Sequence, residues 1–203
     1  MGERIPTRTR IVDAATMLFW RDGYHAVSTD QICRKAGVAK SSLYHAFPSK
    51  AEVLAACLDD VWTRDWSEIS GIYKQSIPGR EKLERHLQWF ASSQLRIREN
   101  FGMILGTFDM ALGVAIPIGV AHAIADHRRQ HDDLLAEAIA GTAGLARDSA
   151  RVQWLYELSS AVITSATINA RIRNEMSPLL SLKDTVIQLI DMAASESESG
   201  GGD

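Results

Sequence analysis

Apolar residues recur along this chain at the three- and four-residue spacing of an amphipathic helix, and the strict alternation that marks a half-buried strand is scarce. The first such segment carries apolar side chains that share one helix face. Alanine, the strongest helix former, is also the commonest residue. The sequence therefore predicts an all-α fold of about nine helices. The apolar residues of the first segment are Ile11, Ala14, Ala15, Leu18 and Phe19.

Turn and capping residues delimit the first two helices. Gly23 is predicted to end the first helix in the left-handed conformation, which glycine adopts without strain. Ser28 stands three residues before Gln31, which is the spacing of a capping box, and this pair is predicted to open a short second helix. Gly37 then supplies a tight turn.

A third helix is expected over residues 40–46, because Pro48 prevents its continuation. Ser49 and Glu52 have the spacing of another capping box, which predicts that a long fourth helix runs from there toward Tyr73. Helical spacing continues in the rest of the chain between clusters of Gly, Pro and Asn. The further helices are predicted at 80–99, 102–114, 117–141, 147–173 and 181–194.

Charge is divided unevenly along the chain. Residues 1–50 carry eight Lys and Arg against four Asp and Glu, a balance of +4, whereas residues 51–203 carry 14 against 21, a balance of −7. A basic segment attached to a larger acidic one indicates an anionic partner for the first part alone. We therefore predict one domain over 1–50 and a second over 51–195. The acidic, glycine-rich residues 196–203 are predicted to be a disordered tail.

The composition excludes several classes of protein. The chain has 203 residues, of which 46% are hydrophobic, and this is enough to bury a core. Its longest mostly apolar stretch, 113–125, contains Pro117 and His122 and is shorter than a bilayer span, so no membrane association is expected. Asp13 interrupts any signal-peptide core, and two cysteines cannot build a disulfide framework. A cytoplasmic protein is expected.

The second and third predicted helices, joined by the glycine turn, have the dimensions of a helix-turn-helix unit. The second helix of such a unit enters the major groove of DNA, where a short polar face that donates hydrogen bonds is required. Leu43 and Phe47 are predicted to face inwards. Five side chains, none of them acidic, are thereby turned outwards: Lys40, Ser41, Ser42, Tyr44 and His45.

Two helix starts near this unit are suited to binding phosphate, because a helix N-terminus carries unpaired amides and a partial positive charge. Lys50 stands at the start of the fourth predicted helix, and Ser28 and Thr29 stand at the start of the second. We predict that these three residues and the five outward residues of the third helix form a DNA-binding surface.

Four groups of residues stand at fixed mutual spacing between Thr9 and Val53: Leu18, Phe19, Gly23 and Tyr24, then Ala36, Gly37 and Val38, then Leu43, Tyr44 and Phe47, then Ser49 and Lys50. Together they resemble the DNA-binding domain of TetR-family transcriptional regulators. The resemblance extends over about a quarter of the chain, and its combined spacing is much more specific than any one of the groups.

This resemblance implies that Tyr44 and Lys50 clamp phosphates and that the other outward residues of the third helix meet bases and nearby phosphates. It implies a ligand-responsive regulator, more specifically a repressor, that binds a palindromic operator in double-stranded DNA as a homodimer. Ala39 departs from the family, which often has Ser or Thr at that helix cap. The missing cap is expected to cost about 1 kcal/mol unless Ser41 or water substitutes for it. No cofactor is implied.

The family also implies that the later helices bind a small-molecule effector and dimerise. Two apolar stripes are predicted to form an intersubunit four-helix bundle, the alternative being that they pack within one subunit. The stripes are Val152, Leu155, Leu158, Val162, Ala166 and Ala170, and Leu182, Val186, Leu189, Ile190 and Ala193.

Aromatic and thioether side chains are more abundant in the larger domain than a plain core needs, although ordinary core packing is the alternative for each of them. Because small-molecule sites are mostly apolar cavities, this excess predicts a site for an apolar or aromatic effector. Its predicted members are Trp62, Trp66, Trp89, Phe90, Met103, Phe108, Met110 and Trp154.

Two other functions stay open. His127 and His131 stand four residues apart, with His122 earlier in the segment, and such spacing can place imidazoles on one helix face for a metal ion. An all-α metal-dependent enzyme is therefore the alternative, although the same segment also reads as an exposed charged surface, and no metal site or catalytic residue is predicted. A third interpretation is a dimeric adaptor whose helix-turn-helix does not bind DNA. Because no phosphate loop, nucleophile elbow or HExxH motif is present, the sequence favours a regulator over an enzyme.

Overall fold

The computed structural model describes the backbone of residues 5–113 and 115–199 and the side chains up to residue 195. In this part of the chain there are ten α-helices and no β-strand, which confirms the all-α prediction. None of these helices is long and apolar enough to cross a bilayer. The helices are α1 (Thr7–Asp22), α2 (Thr29–Ala36), α3 (Lys40–Ala46), α4 (Lys50–Tyr73), α5 (Gly79–Phe101), α6 (Phe108–Ala111), α7 (Ile118–Ala143), α8 (Ala150–Arg173), α9 (Ser177–Leu180) and α10 (Leu182–Ser199).

The helix predicted over 102–114 is wrong. Gly102, Gly106 and Gly113 have φ angles of 73°, 78° and 84°, a left-handed backbone that interrupts a helix, so that only the four residues of α6 are helical there. The short helix α9 lies in the gap between the helices predicted at 147–173 and 181–194. Its proline does not prevent a helix there, because a proline fits the first turn of a helix. This helix brings the number of helices in the described ranges from about nine to ten.

The end of α10 differs from the predicted tail. The backbone of residues 196–199 continues this helix, where a disordered segment was predicted over 196–203. Each residue added to an existing helix gains a backbone hydrogen bond, and this favours continuation past the last buried turn. Residues 200–203 lie outside the described residues.

The helices group into two units, and the long helices α4 and α7 each contribute to both. One unit contains the chain up to Trp66 together with Thr107–His127, and the other contains Ser67–Gly106 and the chain from Arg128 onwards. These units describe packing, and the functional boundary at residue 50 stays a prediction.

The first unit has a core built from α1, α2, α3 and the first half of α4. Ile11, Phe19 and Leu43 are fully buried there, and Phe47 is 2% exposed, so the predicted inward positions of Leu43 and Phe47 are confirmed. Phe108 of α6 packs against the same core, with its ring centroid 5.2 Å from that of Trp20. This core holds α3 with its polar face outwards.

The second unit has a core shared by the end of α4 and by α5, α7, α8 and α10. The two apolar stripes predicted to meet a second subunit lie largely in this core. They therefore pack within one subunit, which was the alternative to the four-helix bundle. Because one face of α8 and one of α10 are used inside the subunit, a dimer surface has to use other residues. The buried members of the stripes are Val152, Leu155, Ala170, Leu182, Val186, Ile190 and Ala193.

Within the second unit, the start of α5 crosses α7 at backbone distance. A Cβ atom on Gly79 would lie 2.7 Å from both the carbonyl carbon and the Cα of Gly141. Two glycines at this crossing allow an approach that any side chain on Gly79 would prevent.

Candidate nucleic-acid interface

The capping box predicted at the start of α2 is present. The hydroxyl oxygen of Ser28 accepts a hydrogen bond from the Gln31 amide at 3.2 Å, and the Ser28 amide donates to Gln31 Oε1 at 2.7 Å. Gly37, where the sequence predicted a turn, ends the helix in the left-handed conformation, at φ 63° and ψ 42°. Gly23, which ends α1, also has a positive φ of 80°, but its ψ of 161° lies outside the predicted left-handed helical region.

Arg10 of α1 fixes the turn between α2 and α3. Its Nη2 donates to the carbonyl oxygens of Ala36 and Gly37 at 2.5 and 2.7 Å. Carbonyls at the end of a helix have no partner within the helix, and a guanidinium is well placed to satisfy two of them. The helix-turn-helix unit is therefore braced from α1.

The polar face of α3 has the predicted orientation. Lys40, Ser41, Tyr44 and His45 are exposed, and Ser42 is half-buried. Tyr44 is 46% exposed, and its hydroxyl lies 3.5 Å from the hydroxyl oxygen of Thr29. The structure thus brings the first residue of α2 beside α3 on one surface, while the DNA contacts of these residues stay a prediction.

Lys40 has an acidic neighbour that sequence reasoning missed. The Nζ atom of Lys40 lies 2.8 Å from Oδ1 of Asp30 in the first turn of α2. The outward residues of α3 include no acid, but the turn places the starts of α2 and α3 close enough for an ion pair. Asp30 was visible in the sequence, whereas its proximity to Lys40 is a consequence of the folded turn.

Lys50 has a different environment from the one predicted. Its ammonium donates to the carbonyl oxygens of Tyr24 and Val27, both at 2.9 Å, and lies 4.2 Å from the centroid of the Tyr24 ring. Burial lowers the pKa of Lys50. The side chain therefore fastens the start of α4 to the loop before α2, and two of its three N–H donors are already used.

The Lys50→Met variant is expected to lose about 1–3 kcal/mol of unfolding free energy, because two carbonyls lose a charged donor while the apolar stem is kept. Chemical denaturation measures this loss. Lys35→Met, which removes an exposed cation from the last turn of α2, is the control and is expected to lose much less. An unchanged stability for Lys50→Met, with weaker DNA binding, would restore the simple phosphate clamp in place of the fastening role.

Ala39 leaves the start of α3 without a side-chain cap, as the sequence predicted. Its backbone is already extended, at φ −72° and ψ 151°, which is the conformation of an N-cap residue. Ala39→Ser is therefore expected to raise the free energy of unfolding by about 1 kcal/mol. Thermal or urea unfolding checks this, and a neutral or destabilising effect would show that solvent already satisfies the amides at the start of α3.

The residues predicted to bind an effector are divided between the two units, four in each: Trp62, Trp66, Phe108 and Met110 in the first, and Trp89, Phe90, Met103 and Trp154 in the second. Phe108 is a core residue, whereas Met103 and Trp154 are 46% and 47% exposed. Trp89 donates from its indole nitrogen to Glu68, and Trp154 lies under the guanidinium of Arg151. The effector site stays a prediction.

The histidines of the metal alternative have separate aromatic neighbours. His127 stacks on Trp62 with ring centroids 4.2 Å apart, and the His131 ring centroid lies 6.5 Å from that of His86. His122 is exposed. In the part of the chain that the structure describes, no group of three or more His, Cys, Asp or Glu is placed to hold a metal ion. Nothing in these ranges therefore supports a metal-dependent enzyme.

A buried polar pair in the second unit was not singled out from the sequence. Tyr73 Oη lies 2.8 Å from Nδ1 of His86, and both side chains are buried. Burial lowers the pKa of His86 to about 3, with a smaller contribution from the nearby His131, and burial also raises the pKa of Tyr73. The imidazole of His86 is therefore neutral at physiological pH.

Comparison with known proteins agrees with this geometry. Residues 11–57 match the family model of the bacterial regulatory proteins of the tetR family. The transcriptional regulator UidR of Escherichia coli strain K12 is 39% identical over 56 residues, which are 28% of this chain and 29% of UidR. The chain thus matches less than a third of the length of that curated relative.

Solved structures extend the likeness to almost the whole chain. A cysteine mutant of the TetR-family regulator CifR, complexed with 26-bp double-strand operator DNA, has a TM-score of 0.75 at 20% identity and covers 93% of this chain and 98% of its own. FadR from Bacillus subtilis, in complex with stearoyl-CoA, has a TM-score of 0.64 at 17% identity and covers 90% of this chain and 96% of its own. At such identities the likeness shows a shared fold.

Proposed function

This chain belongs, through residues 11–57, to the tetR family of bacterial regulatory proteins, and from that premise we propose that it is a ligand-responsive transcriptional regulator. It binds a palindromic operator in double-stranded DNA as a homodimer, and a small-molecule effector releases it. We propose repression as the direction of control.

The polar face of α3 carries the proposal. Its exposed donors stand on a helix seven residues long, braced from behind by Arg10 and by the buried side chains of Leu43 and Phe47. A short, rigid, polar helix can enter the major groove and present its first residues to base edges. The start of α2 supplies the adjoining phosphate contacts through Thr29 and the first-turn amides, since Ser28 already donates its amide and hydroxyl hydrogens to Gln31.

The dimer is proposed from the face of α8 that the subunit core leaves uncovered. Ile168 and Ile172 are 43% and 76% exposed, and small side chains stand beside them at Ala161, Thr164 and Ser165. Large exposed apolar residues next to small ones allow close packing against an identical helix. A two-fold axis there gives the dimer two helix-turn-helix units, one for each half of a palindrome.

Release by the effector follows from linkage. A ligand that binds better to the state in which the two helix-turn-helix units are wrongly spaced shifts the population toward that state. It then lowers the affinity for DNA by the same factor by which DNA lowers the affinity for the ligand. Aromatic side chains in the helices after α3, such as Trp62, Trp89 and Phe90, favour an apolar or aromatic effector. FadR, which shares the fold, is complexed with stearoyl-CoA.

The experiment is selection of duplexes from a random pool by the purified chain, followed by affinity measurements on the selected duplex. A short palindrome is expected. Lys40→Ala is expected to weaken binding to it roughly 5- to 150-fold, the equivalent of about 1–3 kcal/mol for one base contact, and to relax the preferred sequence. Lys74→Ala, an exposed lysine just beyond α4, is the control and is expected to bind as the wild type does. Selection of no sequence would refute the proposal.

A further inference from the structure

Asp30 stands out on the surface assigned to DNA because its charge has the wrong sign. It is the only acidic residue between Ser28 and Ala51. It lies in the first turn of α2, where a carboxylate also suits the helix dipole. DNA phosphates repel a carboxylate in this place, so an acid there lowers affinity for any duplex.

The ion pair with Lys40 determines what this charge does. The side chains of Lys40 and Asp30 are 56% and 58% exposed, and their charged atoms are 2.8 Å apart. Each group favours the charged form of the other, since the pKa of Lys40 is raised and that of Asp30 is lowered by their mutual hydrogen bond and attraction. Both groups are therefore ionised, and the carboxylate of Asp30 cancels the positive charge that Lys40 gives to α3.

An exposed pair of this kind is weak. Solvent screens the attraction between exposed charges, so the bond opens readily when another acceptor competes for the ammonium. A single phosphate oxygen is no stronger an acceptor for the Lys40 ammonium than the Asp30 carboxylate is. A guanine in the major groove offers two acceptors, O6 and N7, side by side, and lysine and arginine favour that arrangement.

We propose that Asp30 is a specificity-determining residue that keeps Lys40 from contributing to binding on non-target DNA and yields it only to a base edge that outcompetes the carboxylate. This inference rests on the proposed function. Asp30 acts here through Lys40. By occupying Lys40 it lowers affinity for DNA that offers only phosphates, which occur in every sequence, and it lowers affinity less where the correct base edge is present. This difference is the source of the selectivity.

The test compares Asp30→Asn with the wild type on two duplexes, the selected palindrome and a scrambled duplex of equal length and composition, over a range of salt. Binding to the scrambled duplex is expected to strengthen about tenfold at low salt, and the slope of log affinity against log salt is expected to steepen by about 1. Binding to the palindrome strengthens less, so the ratio between the two duplexes falls.

Asp60→Asn is the matched control, because Asp60 forms an ion pair of the same length, 2.8 Å, with Arg64 in the middle of α4. It makes the same change in net charge and is expected to change neither the ratio nor the slope. Thermal unfolding of both variants confirms that each is folded at the assay temperature.

A double variant separates the ion pair from simple charge. In the Lys40→Met background Asp30→Asn frees no cation, so its steepening of the salt slope is expected to disappear. An equal steepening would overturn the inference, because Asp30 would then act by charge alone. Weaker binding of Asp30→Asn to the palindrome alone would also overturn it, since the carboxylate would then contact a base. If the wild type selects no palindrome, the proposed function fails, and the slope on scrambled DNA still tests the cancellation of charge.

Discussion

Acidification from pH 6.5 to 5.0 is expected to lower the free energy of unfolding by about 2 kcal/mol through His86 alone. The folded protein holds this imidazole neutral, with a pKa lowered by burial from 6.5 to about 3. The unfolded chain binds a proton near pH 6.5, so below that pH the unfolded state binds more protons than the folded state. The stabilisation is therefore complete above pH 6.5 and is lost progressively as the pH falls toward 3.

Urea unfolding at closely spaced pH values measures this loss. His86→Gln removes the titration, and its stability is expected to vary much less over the same range, whereas the exposed His122→Gln should behave as the wild type. The imidazole resonances of the folded wild type give an independent result. A His86 resonance that titrates near pH 6.5 would contradict the account, even if the His86→Gln variant failed to fold.

The variant Gly79→Ala is expected to lose about 1–3 kcal/mol of unfolding free energy. Its new methyl group would lie 2.7 Å from backbone atoms of Gly141, and backbone cannot rotate away as a flexible side chain would. The start of α5 and the body of α7 would have to separate, which disturbs the packing of the second unit.

Gly71→Ala is the matched control for this effect. Gly71 lies in the last turns of α4 with open space where a Cβ would stand, so alanine is expected to stabilise the helix by up to about 1 kcal/mol. Thermal unfolding of the two variants should therefore move in opposite directions. Equal shifts would show that the crossing of α5 and α7 tolerates a side chain.

The helix-turn-helix unit could be predicted from the sequence because the signals that define it act over a few residues. The Ser28–Gln31 capping box, the turn at Gly37 and the stop at Pro48 each act within a few residues, and α3 has the predicted bounds. The inward positions of Leu43 and Phe47 follow from the period of a helix once those bounds are set.

Tertiary contacts account for what the sequence did not predict. Lys50 meets the carbonyls of Tyr24 and Val27, which lie more than 20 residues earlier in the chain, and Asp30 meets Lys40 across a turn. The apolar stripe of α10 shows that a face is buried without showing by what, and the structure places Val186 inside the subunit. Hydropathy likewise gave no sign that the glycines of 102–113 would adopt the positive φ that breaks the predicted helix.

In the proposed function, α3 of each subunit binds one half of a palindromic site in double-stranded DNA. The most direct measurement is the mass of the complex formed with the selected duplex, together with a footprint at single-nucleotide resolution. We expect two chains per duplex and two equivalent protected half-sites whose centres lie about 34–36 Å apart or at a multiple of that spacing. One chain per duplex, or protection confined to a single half-site, would contradict the proposed function.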